Sequence, residues 1–142
     1  MRSLTEQTND LLAHAGFTEN DLVLYTTIRK GFGQWFQGDA MRSLFGNQTV
    51  LLVFTETTLT MITPRSKREP DVMQISLNQT SAWQLTAQLN YFVLELKYQG
   101  QTYRFGIDNG QYISLDDGRT QRNLKKLLAN GFCNHLPRNP QA

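Results

Sequence analysis

The chain has 142 residues, of which 39% are hydrophobic and 11% aromatic, and this is enough for one domain with one core. Its formal net charge of +2 is too small to predict nucleic-acid or membrane binding from overall electrostatics. The single cysteine, Cys133, excludes an intramolecular disulfide and is typical of a reducing compartment.

The N-terminal stretch "MRSLTEQTNDLLAHAGF" contains no apolar run typical of a signal peptide. No segment approaches the roughly 20 apolar residues that a membrane span needs. We therefore expect a soluble cytoplasmic protein without a membrane span.

The first predicted element is an N-terminal helix. Ser3 and Glu6 form a capping-box pattern at its start, and leucines recur at helical spacing along it. Gly16 is expected to end the helix and to let Phe17 fold back onto Leu12, as in a Schellman motif.

Strand-like segments follow, joined mostly by short turns. In chain order they are "DLVLYTTIRK", "QTVLLVF", "LTMIT", "VMQISL", "SAWQLTAQ", "NYFVLELKY" and "QTYRFGI". Most alternate apolar and polar residues and are rich in β-branched and aromatic types, which is typical of strands. "QTVLLVF" is almost continuously apolar and therefore predicts an interior strand. The "QG" between the last two segments predicts a tight hairpin turn.

The last predicted element is the amphipathic helix "RTQRNLKKLLANGF", which ends at Gly131 and Phe132. We expect one domain over residues 1–132 and a loose, flexible tail over residues 133–142. The parity of the strands and the apolar stripe of this helix predict one shared core. Its predicted members are Trp83, Phe92, Leu94, Leu96, Phe105, Leu124 and Leu127.

Several segments together resemble the bacterial pleckstrin-homology-like (PH-like) families over roughly residues 22–132. The resemblance is carried by "VLLVFTETTLTMI", "VMQISLNQTSAWQL", "FVLELKYQGQTYRFGI" and the terminal helix. It implies a mainly β fold, a split seven-stranded antiparallel barrel capped by a C-terminal α-helix, here with an extra N-terminal helix. It also implies a non-enzymatic binding or assembly module, and some members are similar to subunits of ring-like homo-oligomers.

The segment "KGFGQWFQGDAMRSLFGNQ" joins the first two predicted strands and concentrates aromatic residues among glycines. Its glycine spacing fits neither G-x-G-x-x-G nor a P-loop. The aromatic residues either cover one end of the core or form a contact surface for a protein partner or a second subunit. As the partner-binding candidates we take Phe32, Trp35 and Phe36.

Basic residues provide an alternative site for an anionic phospholipid or a nucleic acid. The anionic-ligand candidates are Arg29, Lys30, Arg42, Arg65, Lys67 and Arg68, with a second basic group on the last helix. A charge run is more often a solvated face than a binding site. Compared with lipid-binding eukaryotic PH relatives, the first loop is poor in basic residues, which favours a protein partner or self-association.

Catalytic and metal sites have little support in the sequence. His14, His135 and Cys133 have no zinc-site spacing, and no nucleophile motif is present. We therefore predict no enzyme activity, no catalytic residues, no metal and no cofactor. A barrel that binds a small ligand in its interior is the third alternative.

Overall fold

A computed structural model of the chain describes residues 4–28, 48–65, 69–88, 91–108 and 118–136. The predicted segments all form regular elements. They are α1 (Leu4–His14), β1 (Leu22–Ile28), β2 (Gln48–Phe54), β3 (Thr58–Thr63), β4 (Asp71–Ser76), β5 (Thr80–Ala87), β6 (Tyr91–Tyr98), β7 (Gln101–Asp108) and α2 (Arg119–Ala129). A 3₁₀ turn, Leu77–Gln79, separates β4 from β5, and a short helical turn, Gly131–Asn134, follows α2.

The strands form one antiparallel sheet in the order β4-β3-β2-β1-β7-β6-β5. The prediction of a mainly β fold with a helix at each end is therefore confirmed. Among the residues that the structure describes, β4 and β5 pair with one neighbour each, so the sheet is not closed by hydrogen bonds. Helix α2 packs on β1 and, less extensively, on β7.

The inner face of the sheet carries the main core, and α2 and the Gly131–Asn134 turn pack against it. The predicted core is confirmed, because all seven residues belong to this cluster. Five of them are buried, and Trp83 and Phe92 are partly buried at its margin.

A second, smaller core lies on the outer face, under α1. Leu12 of α1 packs there with Val23, Leu51, Val53 and Ile62, all at most 1% exposed. The central strands are thus covered on both faces, by α1 outside and by the main core inside. This explains the continuous apolar sequence of β2, since a strand buried on both faces has no need to alternate.

Two predicted turns have the expected geometry. Gly16 has φ +87°, the amide of Phe17 donates to the Leu12 carbonyl at 2.8 Å, and the amide of Gly16 donates to Ala13 at 3.1 Å. These are the two hydrogen bonds of a Schellman motif. Gln99 and Gly100 both have positive φ, as a two-residue hairpin loop that matches the sheet twist requires.

Candidate functional site

The register of the sheet brings together, at one end, the strand ends that flank both sequence-predicted surfaces. Ile28 at the end of β1 faces Gln48 at the start of β2, and Thr63 at the end of β3 faces Asp71 at the start of β4. Because β2 and β3 are paired in register, the segments 29–47 and 64–70 both connect strands at this end. We call it the loop end of the sheet.

Most of the predicted site residues lie outside the residues that the structure describes. These are Phe32, Trp35, Phe36, Arg29, Lys30, Arg42, Lys67 and Arg68. Their roles remain predictions. The structure describes the strands on which their segments begin and end, and it also describes Arg65.

Arg65 forms an ion pair with Asp71 across the base of the basic turn. Its Nε donates to Asp71 Oδ2 at 2.6 Å, and its side chain is only 11% exposed. The carboxylate balances most of the guanidinium charge at close range. Arg65 is therefore better suited to tying the end of β3 to the start of β4 than to binding an external anion.

Helix α2 supplies hydrogen-bond partners to the backbone of β1 in the part of the strand that does not pair with β7. The β1–β7 pairing covers only Thr26 to Ile28. Beyond it, the amide of Tyr25 donates to Thr120 Oγ1 at 2.9 Å, and Asn123 Nδ2 donates to the Val23 carbonyl at 2.9 Å. Two polar side chains of the helix thus form the hydrogen bonds that a neighbouring strand would otherwise form. They provide partners for the Tyr25 amide and the Val23 carbonyl, which would lack them otherwise.

Arg119 is a buried cation that sequence patterning placed on an exposed basic face. It is 7% exposed, and its Nη2 donates to Asn9 Oδ1 of α1 at 2.8 Å. Among the described residues its Nη1 has no hydrogen-bond partner. The exposed charges of this helix are therefore Arg122, Lys125 and Lys126, and Arg119 serves as a link between the two helices.

The chain after α2 docks at the opposite end of β2 through a left-handed turn. Gly131, Phe132, Cys133 and Asn134 all have positive φ, between 50° and 72°. Such geometry is costly for residues with a Cβ, at about 1–2 kcal/mol each. It turns Phe132 into the core at 0% exposure, with its ring edge-on to Phe54 at 5.6 Å between centroids.

Trp83 joins this turn to β5. Its indole Nε1 donates to Thr80 Oγ1 at 2.7 Å, and the imidazole of His135 stacks on its ring at 4.9 Å with an interplanar angle of 19°. Cys133 and Leu136, which belong to the predicted tail of residues 133–142, pack against the main core. Residues 137–142 lie outside the described residues.

Cys133 is held in this turn as a neutral thiol. Its Sγ donates to the Thr55 carbonyl at 3.3 Å. Burial, and secondarily the negative charge of Glu56, raise the pKa of the thiol. Since the thiolate is the nucleophilic form, this environment makes Cys133 a weak nucleophile at neutral pH.

The His135–Trp83 stack predicts a pH-dependent stability. Burial lowers the pKa of His135, so the unfolded chain takes up a proton at a higher pH than the native one. The contribution of neutral His135 is fully present above about pH 6.5 and is lost as the pH falls towards the native pKa. We expect the free energy of unfolding of the wild type to fall relative to that of His135→Gln between about pH 8 and pH 5. Urea unfolding of both chains measures this difference, and a constant difference across the range would contradict the role given to His135.

No family model, curated protein or solved structure matches this chain. No helix in the described ranges is long and apolar enough to cross a membrane. Within the same ranges, no group of three or more His, Cys, Asp or Glu residues is arranged to hold a metal ion.

Proposed function

We propose that this chain is a non-enzymatic PH-like binding or assembly module whose loop end contacts a protein, in the simplest case another copy of the chain. One observation carries the proposal. The strand ends that flank the aromatic segment 29–47 and the basic turn 64–70 lie at one end of a sheet whose central strands are buried on both faces. Connections on such a rigid scaffold commonly carry recognition.

The strand order and the helix against β1 support the PH-like part of the proposal. A seven-stranded antiparallel sheet that is open between β4 and β5, with a C-terminal helix packed on β1 and β7, fits the split barrel with a C-terminal helix that the resemblance implies. The raised pKa of Cys133 supports the non-enzymatic part, because the one thiol of the chain is held in its unreactive form.

The nature of the loop residues favours a protein partner. Aromatic side chains dominate the energetics of protein interfaces, and Phe32, Trp35 and Phe36 stand close together in a segment with few charges. An anionic lipid or nucleic acid is the second candidate, because the strands that flank both basic segments end at the loop end. The ion pair of Arg65 with Asp71 removes one of those charges and leaves this candidate weaker.

The test is the variant Phe32→Ser, Trp35→Ser, Phe36→Ser, studied by circular dichroism and by light scattering at several concentrations. We expect a native spectrum and a lower mass in solution than the wild type, since a buried interface aromatic can contribute at least about 2 kcal/mol. An unfolded variant would mean that these residues belong to the core. A folded variant of unchanged mass would reject self-assembly through the loop end. Wild-type chain retained on anionic vesicles or RNA at low salt would favour the second candidate.

A further inference from the structure

In the part of the chain that the structure describes, no strand covers the outer edge of β4 beyond Asp71. Among the described residues, β4 pairs with β3 alone. Charged residues, prolines and bulges are the features that usually prevent an edge strand from pairing with another chain. Residues 72–77, "VMQISL", contain none of them. Val72 is 45% exposed and is the exposed large hydrophobic residue of the described chain.

The other edge strand, β5, has such a feature. Its pairing with β6 shifts between Ser81 and Gln84, and Ala82 in this bulge has φ +54°. A bulge twists an edge away from regular pairing. Of the two edges, β4 is thus the one shaped to accept another strand.

Successive residues of β4 direct their backbone N–H and C=O groups alternately towards β3 and away from the sheet. This alternation identifies the groups that can bond to another strand. The amide of Leu77 donates to the Thr57 carbonyl at 2.9 Å, so the odd-numbered residues of β4 direct their backbone groups at β3. Val72, Gln74 and Ser76 therefore direct theirs away from the sheet. Their side chains lie on the outer face, because Met73 and Ile75 between them pack into the inner core.

We propose that β4 pairs with β4 of a second copy of this chain, antiparallel about a two-fold axis at Gln74. In this register Gln74 faces the partner's Gln74, and Val72 faces the partner's Ser76. The outward amides and carbonyls of the three residues then form about six hydrogen bonds between the two strands. The pairing is self-complementary, as a two-fold interface requires.

Hydrogen-bond number and charge together select this register. Registers centred on Met73 or Ile75 pair only two of the three outward residues and form about four hydrogen bonds instead of six. Centred on Gln74, the two Asp71 carboxylates are six residues out of register and about 20 Å apart, beyond the screening length of about 8 Å. Centred on Val72, they would lie within two residues of each other and repel. Centred on Ser76, the 3₁₀ turns at Leu77 would meet. The uncharged run from Val72 to Ser76 carries no like-charge contact across the axis.

The size of the contact predicts its strength. Five paired residues bury less surface than the roughly 1,600 Å² of a standard stable interface. The dimer is therefore weak, and its mass average rises with concentration. This interface is separate from the proposed contact through residues 29–47, so either can fail without the other.

A cross-linking experiment tests the register. Gln74→Cys in a Cys133→Ser chain brings the two new cysteines face to face at about 5.5 Å between Cα atoms, which suits a disulfide. The matched control is Thr86→Cys in the same chain, an exposed residue on the β5 edge. Under mild oxidation we expect covalent dimer from the first chain at least about tenfold faster than from the second. Equal rates, which indicate random collision, would overturn the proposal.

A matched pair of charge variants tests the edge itself. Gln74→Lys places two like charges directly opposite each other at the two-fold axis, and Thr86→Lys adds the same charge to the other edge. Light scattering at rising concentration is expected to give the same rising mass for the wild type and for Thr86→Lys, and a lower mass for Gln74→Lys. Wild-type chain that stays monomeric throughout, or a mass unchanged in folded Gln74→Lys, would overturn the proposal. So would protected amides of Val72, Gln74 and Ser76 in hydrogen exchange on dilute monomer, since some other part of the chain would then cover the edge.

Discussion

Phe132→Ala is expected to destabilise the fold by about 3–5 kcal/mol, the usual cost of removing a fully buried aromatic ring. Phe132 is 0% exposed and contacts Phe54 and Trp83, which come from two distant strands of the sheet. Removing the ring leaves a cavity where the Gly131–Asn134 turn meets the end of β2. Chemical denaturation measures the loss of unfolding free energy.

Phe132→Gly is the matched control, because it tests the left-handed backbone as well as the packing. In ordinary helix or strand backbone, glycine is less stable than alanine by about 0.5–1 kcal/mol. At φ +50° the order is reversed, since alanine keeps the Cβ that makes this region costly. We expect Phe132→Gly to be more stable than Phe132→Ala. The opposite order would contradict the left-handed turn, and losses below about 1 kcal/mol in both would contradict the burial of the ring.

Asn123→Leu is expected to destabilise the fold by about 1–3 kcal/mol, although it adds apolar surface to a buried site. The substitution removes the Nδ2 donor and leaves the Val23 carbonyl buried without its hydrogen bond. A buried backbone group without a partner costs more than a typical hydrogen bond contributes. Thermal and urea unfolding measure the effect.

Lys126→Leu is the control on the same helix. Lys126 is exposed, so the same type of change there should alter stability by no more than about 0.5 kcal/mol. If Asn123→Leu unfolds at the same denaturant concentration as the wild type, the side chain of Asn123 does not substitute for a neighbouring strand. Loss of β1 protection in hydrogen exchange, centred on Val23 and Tyr25, would support that role directly.

The regular elements could be predicted because each is dictated by a local pattern. The alternation in β6 and β7, the apolar run of β2 and the glycine at Gly16 each act over a few residues, and the structure has the expected element at each. The inner core could be predicted for the same reason, since strand parity alone assigns Leu94, Leu96 and Phe105 to one face.

Long-range contacts were missed because no local pattern encodes them. Asn123 and Thr120 sit on the polar side of a helical pattern, and nothing nearby indicates that β1 will lack a strand partner there. Arg119 looked solvated because Arg122, Lys125 and Lys126 follow it on the same helix. The proline-bearing tail suggested a flexible segment, and no local pattern indicates that His135 stacks on a tryptophan about fifty residues earlier in the chain. The one usable signal was Phe132, an aromatic residue directly after the glycine that ends α2.

The hydrogen bonds between α2 and β1 also constrain the order in which parts of the fold can form during synthesis. They join residues 95 and 100 positions apart, between the first strand and the last long helix. During synthesis, β1 can form its hairpin with β2 early, but the Val23 carbonyl gains its partner only after Asn123 has left the ribosome. Contacts of such sequence separation slow folding, because a long loop must close before they form. The first strand to be made is therefore among the last to be finished, and β1 depends on the C-terminal helix for its own hydrogen bonds.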